Sequence, residues 1–194
     1  MVAKTHISFA LCVVSVPIFI TTKIANITFF DSKELILLLG GVAIGSLLPD
    51  IDEPQSKIGR QTLFISHLIH KIFGHRGATH TLLFPLVIGV ILYPLFLALH
   101  FDMLPLLGIV IGSYLHIAGD MLTKSGCPIY LPLHSRNIGL LPKPLRFVTG
   151  SITDKMIGVI CLAIFLLCSA DFAGFDISWI QHINLNKFMQ IVGG

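Results

Sequence analysis

Two carboxylates stand one residue apart in "LLPDIDEP", Asp50 and Asp52, and a histidine and a carboxylate stand four apart in "YLHIAGD", His116 and Asp120. "GHRGATHTLLF" sets His75, Arg76 and His80 ahead of a long apolar run, and "KTH" sets His6 ahead of another. Imidazole and carboxylate together are ligands for borderline divalent metals such as zinc and manganese. Residues four apart share a helix face, so His116 and Asp120 can grip one ion. Along an extended chain alternate side chains point the same way, so Asp50 and Asp52 are expected to present their carboxylates together. His6, Asp50, Asp52, His80, His116 and Asp120 outnumber the ligands of an ordinary zinc site. One or two divalent ions, zinc or manganese, are therefore expected, and two ions sharing a carboxylate would suit phosphoester hydrolysis.

The elements that must carry these residues are apolar. The chain of 194 residues is 54% hydrophobic and 12% charged, half the roughly 25% charge of soluble domains. The fold class expected is all-α, an integral membrane bundle of about five transmembrane helices with an interfacial amphipathic helix. Residues 1–194 read as one membrane-embedded domain, with spans at 6–22, 33–49, 80–99, 103–120 and 155–171 and loops at 50–79 and 121–154. The first run follows Lys4 as a signal peptide would, but no small-residue cleavage site follows it, and it reads as a retained helix. The small net charge of +3, with no basic run, argues against nucleic acid as a partner. Cys12, Cys127, Cys161 and Cys168 form no CxxC pair and read as small buried hydrophobes.

Charge distribution orients the bundle. With the amino end in the cytoplasm, Lys4, Lys57, Arg60, Lys71, Arg76, Lys124, Arg136, Lys143, Arg146 and Lys155 fall inside, and only Lys23, Lys33 and Lys187 outside. Cytoplasmic loops are enriched in Lys and Arg, so this orientation is expected. It brings every candidate ligand to one cytoplasmic rim. Spans two and four end at that rim with carbonyl-rich, cation-favouring termini, while spans one and three begin there with free N–H groups that favour anions. A metal beside such N-termini and Arg76 would receive a phosphate-like group.

The stretch "QTLFISHLIHKIF" has helical apolar spacing and reads as the interfacial helix, with His67 and His70 on its polar side. The connection "MLTKSGCPIYLPLHSRNIGLLPKPLRFV" is broken by Pro and Gly and reads as a loop tucked against the membrane over the cluster. From it His134 and Arg136 could face an anionic substrate, or Arg136, Lys143 and Arg146 could meet acidic lipid headgroups. His100 and His182 map to the far side. A transporter would want polar residues at mid-span, and 82–99 and 156–170 offer none.

"KTH", "LLPDIDEPQSKIGR", "GHRGATHTLLF" and "HIAGDMLTKSGCPIYLPL" together resemble the YdjM family of bacterial inner-membrane proteins, over about residues 4–133. The resemblance implies a bacterial inner-membrane location, metal dependence and hydrolase activity, and it marks His6, Asp50, Asp52, His75, Arg76, His80, His116 and Asp120. Two positions depart from the family pattern: Glu53 stands where a histidine often follows the Asp-Ile-Asp, and Leu115 where serine commonly precedes the histidine. The expected function is a membrane-bound hydrolase cleaving a lipid phosphoester with metal-activated water at the cytoplasmic face. Asp50, Asp52, His80, His116, Asp120 and His6 would be ligands, Arg76 and Arg136 the substrate-binding cations, and His75 a proton carrier. The competing expectations are a non-enzymatic metal-binding membrane protein, with the ion as staple or cargo, and a lipid-organising protein whose rim only grips headgroups.

Overall fold

The computed structural model describes residues 1–23, 25–62, 67, 71 and 77–173. Six α-helices are described: α1 (Ala3–Lys23), α2 (Ser32–Gly45), a short α3 (Lys57–Gln61), α4 (Leu83–Ala98), α5 (Leu104–Met121) and α6 (Ile152–Phe172). One-turn 3-10 segments follow α2 (Leu48–Asp52) and precede α4 (Ala78–His80). Among the described residues there is no β-strand, and two isolated bridges, Thr123 to Phe147 and Cys127 to Ile138, tie the long connection before α6 together. The expected interfacial helix falls largely outside the described residues, as does the tail after Ala173.

Local sequence sets the helix ends. Asp31 and Glu34 form a reciprocal capping box at α2: Glu34 N–H donates to Asp31 Oδ1 at 2.8 Å and Asp31 N–H to Glu34 Oε2 at 2.9 Å. Ser151 caps α6, and Asp102 accepts from Leu104 N–H ahead of α5. Four stretches, Ala3–Lys23, Ser32–Asp52, Leu104–Met121 and Ile152–Phe172, are long and apolar enough to cross a membrane. Helix α4 has 16 residues. At 1.5 Å per residue it reaches ~24 Å, short of the ~30 Å hydrocarbon thickness.

The pattern of burial is inverted relative to a soluble domain. Val90, Ile36 and Val159 are about 70% exposed, whereas Thr5, His6, Ser15, His80, Ser113, His116 and Asp120 are buried. Apolar side chains facing outward and polar ones facing inward is the arrangement that hydrocarbon solvent selects. Two pairs of helices run in parallel. Along α2 and α5, Gly41 and Gly45 lie against Pro105 and Ile109, and Gly108 and Gly112 against Leu38 and Val42. A Cβ at Gly45 or Gly112 would stand 2.1 or 2.2 Å from a carbonyl oxygen of the partner helix, so the two backbones touch, as small-xxx-small seams allow. Helices α1 and α6 also run side by side. Val2 N–H donates to Asp154 Oδ2 at 3.0 Å at one end, and Lys23 pairs with Asp171 at 2.8 Å at the other.

Candidate metal centre

Helix α1 starts, α2 ends, α4 starts and α5 ends at the same pole of the bundle, and there the predicted side chains meet. His116 and His6 stack with ring centroids 3.7 Å apart and planes 6° apart, and His80 meets His116 edge-on at 5.3 Å. His6 Nε2 lies 3.2 Å from Asp120 Oδ1, His80 Nε2 3.7 Å from Asp120 Oδ2 and 3.9 Å from Asp50 Oδ1, and His116 Nε2 3.6 Å from Asp50 Oδ1. Two three-residue groups, His6–Asp50–His116 and His80–His116–Asp120, each offer ligand atoms within 4.8 Å of one another. Of the ligand candidates only Asp50 is appreciably open, its side chain 21% exposed; the others are at most 1% exposed.

The Asp-Ile-Asp segment is not extended. Leu48–Asp52 is a 3-10 turn begun by Pro49 at its amino end, and with three residues per turn, side chains two apart diverge. The expected alignment of both carboxylates is thereby corrected. Asp50 faces the Nε2 edges of His80 and His116, while Asp52 lies behind His80, its Oδ2 3.4 Å from Nδ1. Nor does His80 sit on the fourth helix, as a span beginning at 80 implied. It ends its own 3-10 turn, closed by Thr81 Oγ1 donating to the Ala78 carbonyl at 2.8 Å, and α4 begins three residues later. His116 and Asp120 do share a face of α5, and both are buried.

The hydrogen bonds behind the rings fix which nitrogen looks inward. His116 Nδ1 is 2.7 Å from the Ser46 carbonyl, which can only accept, so Nδ1 carries a proton and the lone pair of the neutral ring falls on Nε2. Thr79 donates its hydroxyl proton to Asp52 Oδ2 at 2.6 Å, so at 3.0 Å it accepts from His80 Nδ1–H, and the lone pair of a neutral His80 ring likewise falls on Nε2. Nε2 of His80, Nε2 of His116 and Nδ1 of His6 are buried without a hydrogen-bond partner among the described residues. Buried polar atoms in native proteins are ordinarily satisfied, and lone pairs opposite carboxylates repel unless a cation stands between them. Two ligands ~2.1 Å from an ion at a tetrahedral angle lie ~3.4 Å apart, close to the separations here. The donor set fits a divalent metal. The Met1 amino group also donates to Asp120 Oδ1.

Sequence reasoning missed several supports. Thr79 couples Asp52 to His80, the Ser46 carbonyl orients His116, and a Cβ on Gly119 would meet His6 Nδ1 at 3.4 Å. Asp154, fully buried, accepts from Val2 N–H and from Gly150 N–H at 2.7 Å and so anchors the start of the helix that carries His6. The signals were present: small residues four apart in "GGVAIG" and "GIVIG", and a threonine beside the histidine in "ATHT". Of the remaining predicted residues, His75 and Arg76 lie outside the described residues. Arg136 and His134 are exposed on the connection before α6, whereas Arg146 Nε donates to the Leu141 carbonyl at 2.6 Å and braces that connection.

Fold and site together define a multi-span α-helical membrane protein with a buried His/Asp cluster at one pole. The family model described as YdjM inner membrane protein matches residues 1–180, and the chain belongs to that family. It is 30% identical to the uncharacterized protein YvsG of Bacillus subtilis over 129 residues, 66% of this chain and 76% of that protein. It is 41% identical to the inner membrane protein YdjM of Escherichia coli over 93 residues, 46% of each chain, and matches its Shigella flexneri counterpart equally. The match thus spans about half the length of those two relatives. No solved structure matches.

Proposed function

We propose that this protein is a metal-dependent hydrolase of the bacterial inner membrane that cleaves a lipid phosphoester at the cytoplasmic face. The observation that carries the metal is the set of inward-facing imidazole lone pairs opposed to carboxylates in a buried site. His6, His80, His116, Asp50 and Asp120 would hold the ion or ions, zinc or manganese, with His116 common to both three-residue groups. Asp52, Thr79 and the Ser46 carbonyl orient the rings from behind, the way outer-shell partners hold metal-binding histidines. A bound divalent cation supplies Lewis acidity and brings the pKa of a water in its shell toward ~7. Asp50, the exposed member, is where substrate would enter. Arg76 is assigned to the phosphate and His75 to delivering a proton to the departing alkoxide, with Arg136 as a further anion-binding group. The excess of Lys and Arg on the connections at this pole supports the cytoplasmic assignment.

The test is metal analysis of the purified protein, followed by phosphate release from phosphatidic acid and related lipid phosphates with and without chelator. Asp50→Ala and His116→Ala should abolish metal-dependent turnover while the bundle still assembles. A second reading, a metal that only staples the helices, is favoured by the near-complete burial of all ligands but Asp50. It predicts that chelation unfolds the protein and that no lipid phosphate is ever turned over.

A further inference from the structure

A groove of about 500 Å³ opens beside the metal centre, between Leu83 and Val87 at the start of α4, Ala78 and Thr81 of the turn before it, and Leu131–Pro132. Its size lies within the roughly 300–1,000 Å³ of small-molecule sites. The groove and the cluster share one short segment: Ala78 and Thr81 line the groove, and Thr79 and His80 between them face Asp52, Asp50 and Asp120. The polar groups on the groove side are already committed. Thr81 Oγ1 donates to the Ala78 carbonyl, and the Gly77 carbonyl accepts from His80 N–H at 3.2 Å. The far wall is fixed by Leu82 N–H donating to the Ile129 carbonyl at 3.1 Å, while Tyr114 donates to the Leu82 carbonyl at 3.1 Å.

An occupant therefore finds hydrocarbon on one side of the turn and, once the ligands on the other side hold a divalent ion, a cationic centre there. The groove is continuous with the outward apolar surface of α4, where Leu83, Leu86 and Val87 are about half exposed. Only an amphiphile with an anionic head satisfies both halves, and a free phosphate or sugar phosphate would leave the groove unused. We infer that this groove seats an acyl chain of a phosphate-headed membrane lipid whose headgroup reaches the His80–Asp50 edge of the centre. This rests on the metal-site reading above and deepens it by naming where the substrate's chain lies. A second groove of about 600 Å³, between Leu11, Ser32, Ile36, Phe165 and Phe172 toward the opposite pole, shares no turn with a cluster residue and serves as an internal control.

The experiment places the full-length protein in phosphatidylcholine nanodiscs with Mn²⁺ and adds phosphatidic acid carrying a diazirine in its acyl chain. After irradiation, label should map to the 78–87 and 131–132 segments. It should be competed by unlabelled phosphatidic acid but not by extra phosphatidylcholine, while label in the control groove shows no headgroup preference. Val87→Trp and, independently, Leu131→Trp should cut labelling of the groove about tenfold, the cost of excluding two methylenes. Mn²⁺ binding, read by electron paramagnetic resonance, reports that each variant is folded. Equal competition in both grooves, or undiminished labelling in both folded tryptophan variants, would overturn the inference. Headgroup-selective labelling without any bound Mn²⁺ would support the groove and reject the metal reading, and bound Mn²⁺ with unselective labelling would reject the groove alone.

Discussion

If backbone contact between α2 and α5 sets the metal geometry, adding a single methyl there should loosen the site without touching a ligand. Gly112 is one turn from His116, and a Cβ on it would stand 2.2 Å from the Val42 carbonyl oxygen. Relieving that overlap to an ordinary contact near 3.4 Å needs a local separation of ~1.2 Å. Such a shift acts on the Ser46 carbonyl that orients His116 and on the 3.6 Å approach of His116 to Asp50. Metal sites tolerate about 0.2 Å in ligand distance, so the displacement is several times what the site can absorb. Gly112→Ala is expected to cost about 1–3 kcal/mol of bundle stability through overpacking and to weaken Mn²⁺ affinity at least tenfold. The control is Gly40→Ala on α2, where a Cβ meets nothing within 4 Å; it should leave binding unchanged and stabilise the helix slightly. Titration of both purified variants with Mn²⁺, beside thermal unfolding in the same detergent, measures both effects. Unchanged affinity in a folded Gly112→Ala protein would refute the claim that this seam positions the site.

Asp52→Ala should lower metal affinity about 10- to 100-fold by releasing Thr79 and His80, and Asp52→Asn, which still accepts from Thr79, should recover most of it; equal losses in both would make Asp52 a direct ligand. Metal binding should weaken on acidification, because protons compete for the imidazole lone pairs; affinity that rises as pH falls would contradict histidine ligation. Asp154→Ala should cost about 1–3 kcal/mol by removing the part-buried hydrogen bonds that the carboxylate accepts from Val2 and Gly150, measured by thermal unfolding. At the other pole Lys23→Ala breaks a part-exposed ion pair with Asp171 and should cost at most about 1 kcal/mol, with metal binding intact.

Composition and period were enough to place the helices, because a chain that must satisfy its backbone inside hydrocarbon has few options besides a helix. Apolar runs therefore marked the spans, whereas the caps at Asp31 and Ser151 that set two of the starts came from the structure. The side chains able to bind a metal were equally legible, since buried imidazoles and carboxylates stand out in so apolar a chain. Their division of labour was not. Asp50 and Asp52 look alike in "PDID", and only the 3-10 turn sends one to the Nε2 edge of His80 and the other behind it. The pairing of α2 with α5 and of α1 with α6 likewise depended on the folded bundle. In α4 and α6 apolar residues surround the helix, so periodicity names no partner, and the close approach at Gly45 and Gly112 is energetic only once another backbone is there to meet it. Sequence by itself determined the kind of solvent, the helices and the stock of ligands. Tertiary structure decided which ligands converge and which residues hold them, because those are contacts between segments that local chemistry cannot join.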